Sequence, residues 1–181
     1  MANWIGSART NYVRLAPGVS IEDLEKLFEL LEVDVEIWTE TKGEGEAQEV
    51  LVGFGAGRTS DDGAFPGFLN FNLDEDDEDI PELMKLFGFE DKDDFLAATY
   101  INELEFEWDK LIMPRVAVGE VLVVQTVGAE KLRYLTGRAT AFIRRESGQV
   151  EIVSIGIDDI YDKARERFGL AEDFKISAAE Y

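Results

Sequence analysis

The chain of 181 residues contains no cysteine and no histidine. Without cysteine it can form no disulfide, no thiolate nucleophile and no cysteine-based metal site. Without histidine it lacks the commonest general base and the commonest transition-metal ligand. It also has neither the run of about 18 apolar residues that a membrane-spanning helix needs nor the basic and hydrophobic blocks of a signal peptide. These absences predict a soluble, cytoplasmic protein with no membrane association.

Basic residues are scarce. The chain has 18 lysines and arginines against 39 acids, for a net charge of −21. Residues 73–110 hold 15 of the acids and only three lysines, whereas residues 111–168 hold nine bases and eight acids. More than half of the net charge therefore lies in about a fifth of the chain. Such a balance argues against direct binding of nucleic acid and favours a partner that prefers a polyanion.

The apolar content is sufficient for a folded core. Apolar residues make up 45% of the chain, including 12 phenylalanines, and this length is typical of one domain. We therefore predict a single domain over residues 1–181, with an acidic insertion at residues 55–110.

Hydrophobic periodicity predicts the elements of that domain. A strand is expected at residues 11–16, a helix capped by Ser20 from residue 21, and strands at 33–38 and 49–54. Helices follow at residues 81–87 and 92–102. Three strands come next, at residues 121–127, 132–145 and 149–155, and a last helix at 159–168, capped by Asp158. The order predicts an α+β fold: an antiparallel sheet built from a βαββ opening and a C-terminal three-strand meander, with packed helices and an acidic helical or strand insertion.

Residues 103–109 show the clearest pattern in the acidic region, because four acids alternate with Leu104, Phe106 and Trp108. On a strand this places all carboxylates on one face, about 6.6 to 6.8 Å apart, which is close to the phosphate spacing along one DNA strand. On a helix the acids would spread around the axis. The candidate partner-binding residues are Asp74, Glu75, Asp76, Asp77, Glu78, Asp79, Asp93, Asp94, Glu103, Glu105, Glu107 and Asp109.

Other chemistries find little support. Asn70, Asn72 and Asp74 match the first acidic or amide positions of an EF-hand loop, but Glu75 stands where that loop needs glycine and Pro81 where it needs glutamate. Only a weak irregular cation site is left open. The glycine-rich residues 53–58 match neither nucleotide-binding pattern. With so many acids, adjacent carboxylates carry no catalytic information, so we expect no enzyme, no cofactor and no dedicated metal site.

Several stretches carry a resemblance to a known family. These are GSARTNYV at residues 6–13, GEVL at 119–122 leading to GAEKLRYLTGRA at 128–139, and DDIY at 158–161. In this order they resemble a family of small acidic proteins carried on bacterial plasmids, integrating elements and phages, which has no settled activity. The resemblance implies a mobile-element origin and supplies no catalytic or binding residues.

The acidity and the implied origin together suggest a function. Mobile elements meet restriction enzymes and CRISPR complexes, whose DNA channels are basic. We therefore expect a DNA mimic, a non-enzymatic inhibitor of the anti-restriction or anti-CRISPR type that occupies the groove of a basic host protein. The alternatives are an immunity or antitoxin-like module that binds through exposed aromatic residues such as Trp4, Phe65 and Phe68, and an acidic domain with a weak cation site. The sequence does not predict an oligomeric state.

Overall fold

The computed structural model describes residues 4–43, 48–56, 63–71, 73–101, 103–130, 134–156 and 159–169. Within this part the strands are β1 (Trp4–Thr10), β2 (Val35–Lys42), β3 (Glu49–Ala56), β4 (Val121–Glu130), β5 (Tyr134–Arg144) and β6 (Val150–Gly156). The helices are α1 (Ile21–Leu30), α2 (Ile80–Phe87), α3 (Lys92–Tyr100), the short α4 (Trp108–Leu111) and α5 (Asp159–Phe168), with a 3₁₀ turn at Met113–Arg115. The strands form one antiparallel sheet in the order β2-β3-β1-β4-β5-β6. The predicted α+β fold is confirmed.

Helix α1 begins where the sequence predicts. Ser20 Oγ accepts a hydrogen bond from the Asp23 N–H (3.2 Å), and the Asp23 carboxylate accepts one from the Ser20 N–H (2.8 Å). This reciprocal cap satisfies two amides that the first turn of a helix leaves unpaired. The same backbone bond from Ser20 holds the pKa of Asp23 below its usual range. Leu24, Leu27 and Phe28 of this helix are buried.

The prediction of the first strand was wrong. The strand is β1 at Trp4–Thr10, paired along its length with β4, and not residues 11–16. After Thr10 the side chain of Asn11 continues the hydrogen bonding to β4. Its side-chain NH₂ group donates to the Val121 carbonyl (2.9 Å), and its side-chain oxygen accepts from the Val123 N–H (2.6 Å). Beyond Asn11 the chain forms only isolated bridges, between Val13 and Val52 and between Leu15 and Val116. The alternation at residues 11–16 reflects these buried contacts and not a continuous ladder.

The hydrophobic core joins the sheet to the acidic middle of the chain. Phe54 in β3 is fully buried, and its ring lies 5.9 Å from that of Phe28 in α1 and 5.9 Å from that of Trp108 in α4. Phe106 lies 5.3 Å from Trp108, between centroids. Leu83 of α2, Phe95 of α3 and Leu122 of β4 are buried in the same cluster. The helices that carry the acidic segments are thus held on the sheet by apolar contacts, which fixes where their carboxylates lie.

Candidate anionic interaction surface

Residues 74–79 form tight turns that lead into α2. The Asp77 N–H donates to the Asp74 carbonyl (3.1 Å), and the Asp77 carboxylate accepts from the Asp79 N–H (3.0 Å). All six side chains are exposed except that of Asp77, which is partly buried. The run lies at the N-terminus of α2, where the helix dipole favours negative charge. Its carboxylates are therefore held by ordered backbone.

The N-terminus of α3 lies beside this run. Lys92, the first residue of α3, donates a hydrogen bond from Nζ to the Glu75 carbonyl. Asp91 caps α3, since its carboxylate accepts from the N–H groups of Asp93 (2.9 Å) and Asp94 (3.1 Å). The side chains of Asp93 and Asp94 are exposed. Two predicted acidic groups, distant by more than a dozen residues in sequence, are thus brought together at one end of the helical layer.

Residues 103–109 do not form a strand of the sheet, and the prediction of a four-carboxylate row on a strand face was wrong. Only Glu105 forms a bridge, with Phe68, and α4 begins at Trp108. Leu104 and Phe106 are buried while Glu103 and Glu105 are exposed. The alternation therefore arises because an extended segment packs its apolar side chains into the core beneath the helices. Asp109 lies within α4 and is therefore not part of this extended segment.

Lys110 lies close to three of these acids. Its ammonium group is 2.5 Å from a Glu107 carboxylate oxygen. Its pKa is raised, first by this hydrogen bond and further by the nearby charges of Glu107, Asp109 and Glu105. Glu107 is thereby neutralised in part, so Glu103 and Glu105 are the more available carboxylates of this segment.

The structure also reveals a groove that the sequence did not predict. It lies between α1 and α2, with α4 and the 3₁₀ turn at its base, and encloses about 1160 Å³. Asp79 and Glu82 line it together with Lys110, so one end of the 74–79 run borders it, whereas none of residues 103–109 is part of its described lining. Its lining balances four acids with four bases, which are Asp23, Glu29, Asp79, Glu82, Lys26, Lys85, Lys110 and Arg115. Because these residues come from separate segments of the chain, no local sequence pattern signals the groove.

Arg115 sits at the base of this groove. It is partly buried, and one of its guanidinium nitrogens donates to the Leu111 carbonyl (2.5 Å). Burial lowers the pKa of Arg115, while the charge of Asp23 opposes that effect. Since an arginine remains charged throughout the physiological range, this cation offsets nearby acids. Because Asp79 is the one member of the 74–79 run that lines the groove, the acids at 74–78 and at the start of α3 lie outside its lining.

Four carboxylates in the run form no direct hydrogen bond or ion pair among the described residues, although Lys85 and Lys92 line the same pocket as Glu75 and Asp76. Within that part of the chain, the side chains of Asp74, Glu75, Asp76 and Glu78 make no hydrogen bond and no ion pair. Two carboxylates about 6.7 Å apart in water repel each other by roughly 0.6 kcal/mol. Mutual repulsion within the cluster opposes folding, and the dipole of α2 together with the nearby Lys85 and Lys92 offsets part of that cost.

The aromatic residues predicted for the alternative function differ in their exposure. Phe68 is 61% exposed, as the aromatic-contact alternative requires, but Phe65 is partly buried with its ring 4.8 Å from that of Trp108. That assignment of Phe65 was wrong, since the residue packs against the core. Asp158 and the side chain of Trp4 lie outside the described residues.

Across the described ranges, no three carboxylates converge closely enough to hold a metal ion. Among those same residues, every helix is too short or too polar to cross a membrane. Comparison with protein-family models, with curated proteins and with solved structures produced no match in any of the three. The function is therefore inferred from the chain's own residues.

Proposed function

We propose that this protein is a non-enzymatic inhibitor that occupies the basic nucleic-acid groove of a host defence protein of the restriction or CRISPR type. One observation carries the proposal. The exposed carboxylates of residues 74–79 lie beside Asp93 and Asp94 at the N-terminus of α3. They form an ordered patch of concentrated negative charge on backbone that the hydrophobic core fixes.

The density of charge suits this role. Duplex DNA presents about one charge per 1.7 Å of axis, and proteins contact it mainly through lysine and arginine. Six consecutive acids, with two more beside them, offer such a protein a concentrated anionic surface. Along the extended segment that follows, Glu103 and Glu105 are exposed while Leu104 between them is buried. Both regions could engage the cationic groups that normally hold phosphates.

The rigidity of the surface supports the same conclusion. Leu83, Phe95 and Leu104 are each buried beneath the acidic segments. Because the backbone that bears the carboxylates is already fixed, association has less conformational entropy to remove. An acidic tail, in contrast, would lose conformational entropy on binding. The implied mobile-element origin is consistent with a target among host defence proteins.

Binding to the partner should depend on salt concentration. Among the proteins of a bacterial lysate that are retained on DNA, at least one should also bind this acidic protein when it is immobilised. Its affinity should fall by at least a factor of about ten between about 0.1 M and 1 M salt, over which the Debye length drops from ~10 Å to ~3 Å. The affinity is measured by surface plasmon resonance at each salt concentration. A partner that still binds with unchanged affinity near 1 M salt would rule out a charge-dominated groove.

A second candidate function rests on exposed apolar side chains. Tyr100 is 90% exposed and Phe68 is 61% exposed, and aromatic residues often dominate the energy of protein interfaces. They favour an immunity or antitoxin-like module that binds one partner by surface complementarity. In that case Tyr100→Ala would weaken binding, DNA would not compete, and neutralising residues 74–79 would have little effect.

A further inference from the structure

The last strand of the sheet, β6, has a free edge among the described residues. It is the terminal member of the strand order, and it pairs on its other side with β5. Its apolar side chains are unusually open to solvent for a strand, with Ile152 at 52%, Val153 at 63% and Ile155 at 47% exposure. A long apolar edge strand is a template for pairing with another strand, and proteins usually protect such edges.

The ladder shows which backbone groups are directed away from the sheet. The Arg145 N–H donates to the Gln149 carbonyl (2.9 Å), and the register places Ile143 opposite Glu151 and Ala141 opposite Val153. Because hydrogen-bonded pairs alternate along an antiparallel ladder, Glu151, Val153 and Ile155 direct their amides and carbonyls towards β5. Those of Val150, Ile152 and Ser154 point out from the edge.

Gly156 belongs to the same outward set, and the structure shows how its amide is satisfied. Its N–H donates to the carboxylate of Asp159, at the start of α5. This contact closes one end of the edge and confirms the direction of the alternation. The open part of β6 thus comprises three residues, Val150, Ile152 and Ser154, each with one donor and one acceptor.

The opposite edge of the sheet is protected in the usual way. Strand β2 carries Glu36, Glu40 and Lys42, and most of its later residues are exposed. Charged side chains on an edge strand discourage pairing with another chain. The only charged residue of β6 is Glu151, whose carboxylate receives two hydrogen bonds of 2.8 Å from Arg145. The β6 edge therefore lacks the charge that protects β2.

We propose that two copies of this chain pair antiparallel through β6, about a two-fold axis at Ile152. In this register Ile152 lies opposite its own copy, and Val150 lies opposite Ser154 on both sides of the axis. The outward N–H and C=O groups of these three residues in one copy then bond to those of the other copy, which gives six backbone hydrogen bonds. A two-fold interface must be self-complementary, and this short free edge meets that condition.

The extended segment that carries Glu103 and Glu105 lies far from the β6 edge. The segment that carries Glu103 and Glu105 packs on β3, through the contact between Trp108 and Phe54. Strand β3 is four positions from β6 in the sheet order, which at the usual strand spacing is about 19 Å. This separation exceeds the Debye length of ~8 Å at physiological salt. A second copy is the occupant because the outward donors and acceptors of this edge match those of an identical edge, and the one charged residue of β6, Glu151, is paired with Arg145.

The test is sedimentation equilibrium of the intact protein over a wide concentration series. The mass should rise from 20.3 kDa towards twice that value. The variant Ile152→Pro should keep the monomer mass at every concentration, since proline removes an outward N–H at the centre of the interface but no bond to β5. The control Val127→Lys, which changes an exposed residue of β4 away from the β6 edge, should dimerise like the unaltered chain.

Hydrogen exchange provides a second measurement that needs no variant. The amides of Ile152 and Ser154 should exchange more slowly as the concentration of the unaltered protein rises. Those of Glu151 and Val153 should stay protected at all concentrations, because they bond to β5. A constant mass of 20.3 kDa, an Ile152→Pro variant that still dimerises, or loss of dimer in Val127→Lys would each overturn the proposal. The last result would indicate pairing through the flat face of the sheet.

Discussion

Replacing the six acids of residues 74–79 by their amides should weaken binding to the DNA-competed partner by at least about 100-fold, which corresponds to roughly 2.7 kcal/mol. The change removes six charges and preserves the size of each side chain. With Asp77→Asn, the new amide oxygen can still accept the hydrogen bond that Asp77 receives from the Asp79 N–H. The loss would therefore reflect charge and not shape, and it is measured by titration calorimetry at fixed ionic strength.

A control of equal charge separates the patch from the net charge. It converts to glutamine six exposed glutamates of α1, β2, the turn before β6 and α5, and of the chain between them. They are Glu22, Glu25, Glu32, Glu40, Glu146 and Glu166. Both variants raise the net charge of −21 by six, but the control should lose less than about tenfold in affinity because its changes act only through the overall field. Equal losses in the two variants would show that total charge, and not the patch, determines binding.

The thermal stability of the variant neutralised at residues 74–79 shows whether these carboxylates contribute to folding. Since like charges repel within residues 74–79, their neutralisation should leave the midpoint of thermal unfolding unchanged or raise it. A clear fall in that midpoint would mean that the carboxylates stabilise the fold. Their clustering would then have a structural explanation.

The substitution Phe54→Ala should lower the free energy of unfolding by about 3 to 5 kcal/mol. Phe54 is fully buried and makes edge-on ring contacts with both Phe28 and Trp108. Removing it leaves a cavity where β3, α1 and α4 meet, and the expected loss is a large part of the roughly 5 to 15 kcal/mol that typically holds a domain of this size together. The effect is measured by urea denaturation followed by far-ultraviolet circular dichroism.

Val50→Ala on the same strand is the matched control for Phe54→Ala. Val50 is 52% exposed, so its truncation should cost less than about 0.5 kcal/mol. If Phe54→Ala cost no more than Val50→Ala, the contact between the sheet and the acidic segment would not contribute to stability. The rigid support proposed for the carboxylates would then be absent.

Local signals predicted much of the fold. Ser20 and Asp23 form the capping box that their spacing indicates, and α5 has the bounds Asp159–Phe168 that its periodicity predicts. The hairpin of β5 and β6 turns at Gly148, whose φ of 86° suits glycine. Each of these features depends on residues close in sequence, so single-sequence patterns carry the information.

Features that depend on distant contacts were not predicted. Residues 11–16 alternate like a strand, but the true β1 is defined by its pairing with β4, more than a hundred residues later. Acidic and apolar residues alternate at 103–109 because Leu104 and Phe106 are buried in the core. The same alternation would arise in a strand of a sheet, so the sequence cannot distinguish the two structures. The proximity of Lys92 to Glu75 arises from the packing of α2 and α3, so the adjacency of the two acidic groups required the structure, although their residues were predicted.

The most direct measurement of the central claim is competition between duplex DNA and this protein for the same partner. The apparent dissociation constant is determined at constant ionic strength while the concentration of duplex is increased. If the carboxylates occupy the DNA groove, the constant should rise linearly with the duplex concentration from its value without DNA, because the two ligands exclude each other. An apparent dissociation constant that does not change with duplex concentration, with the protein and DNA bound to the partner at once, would contradict the account.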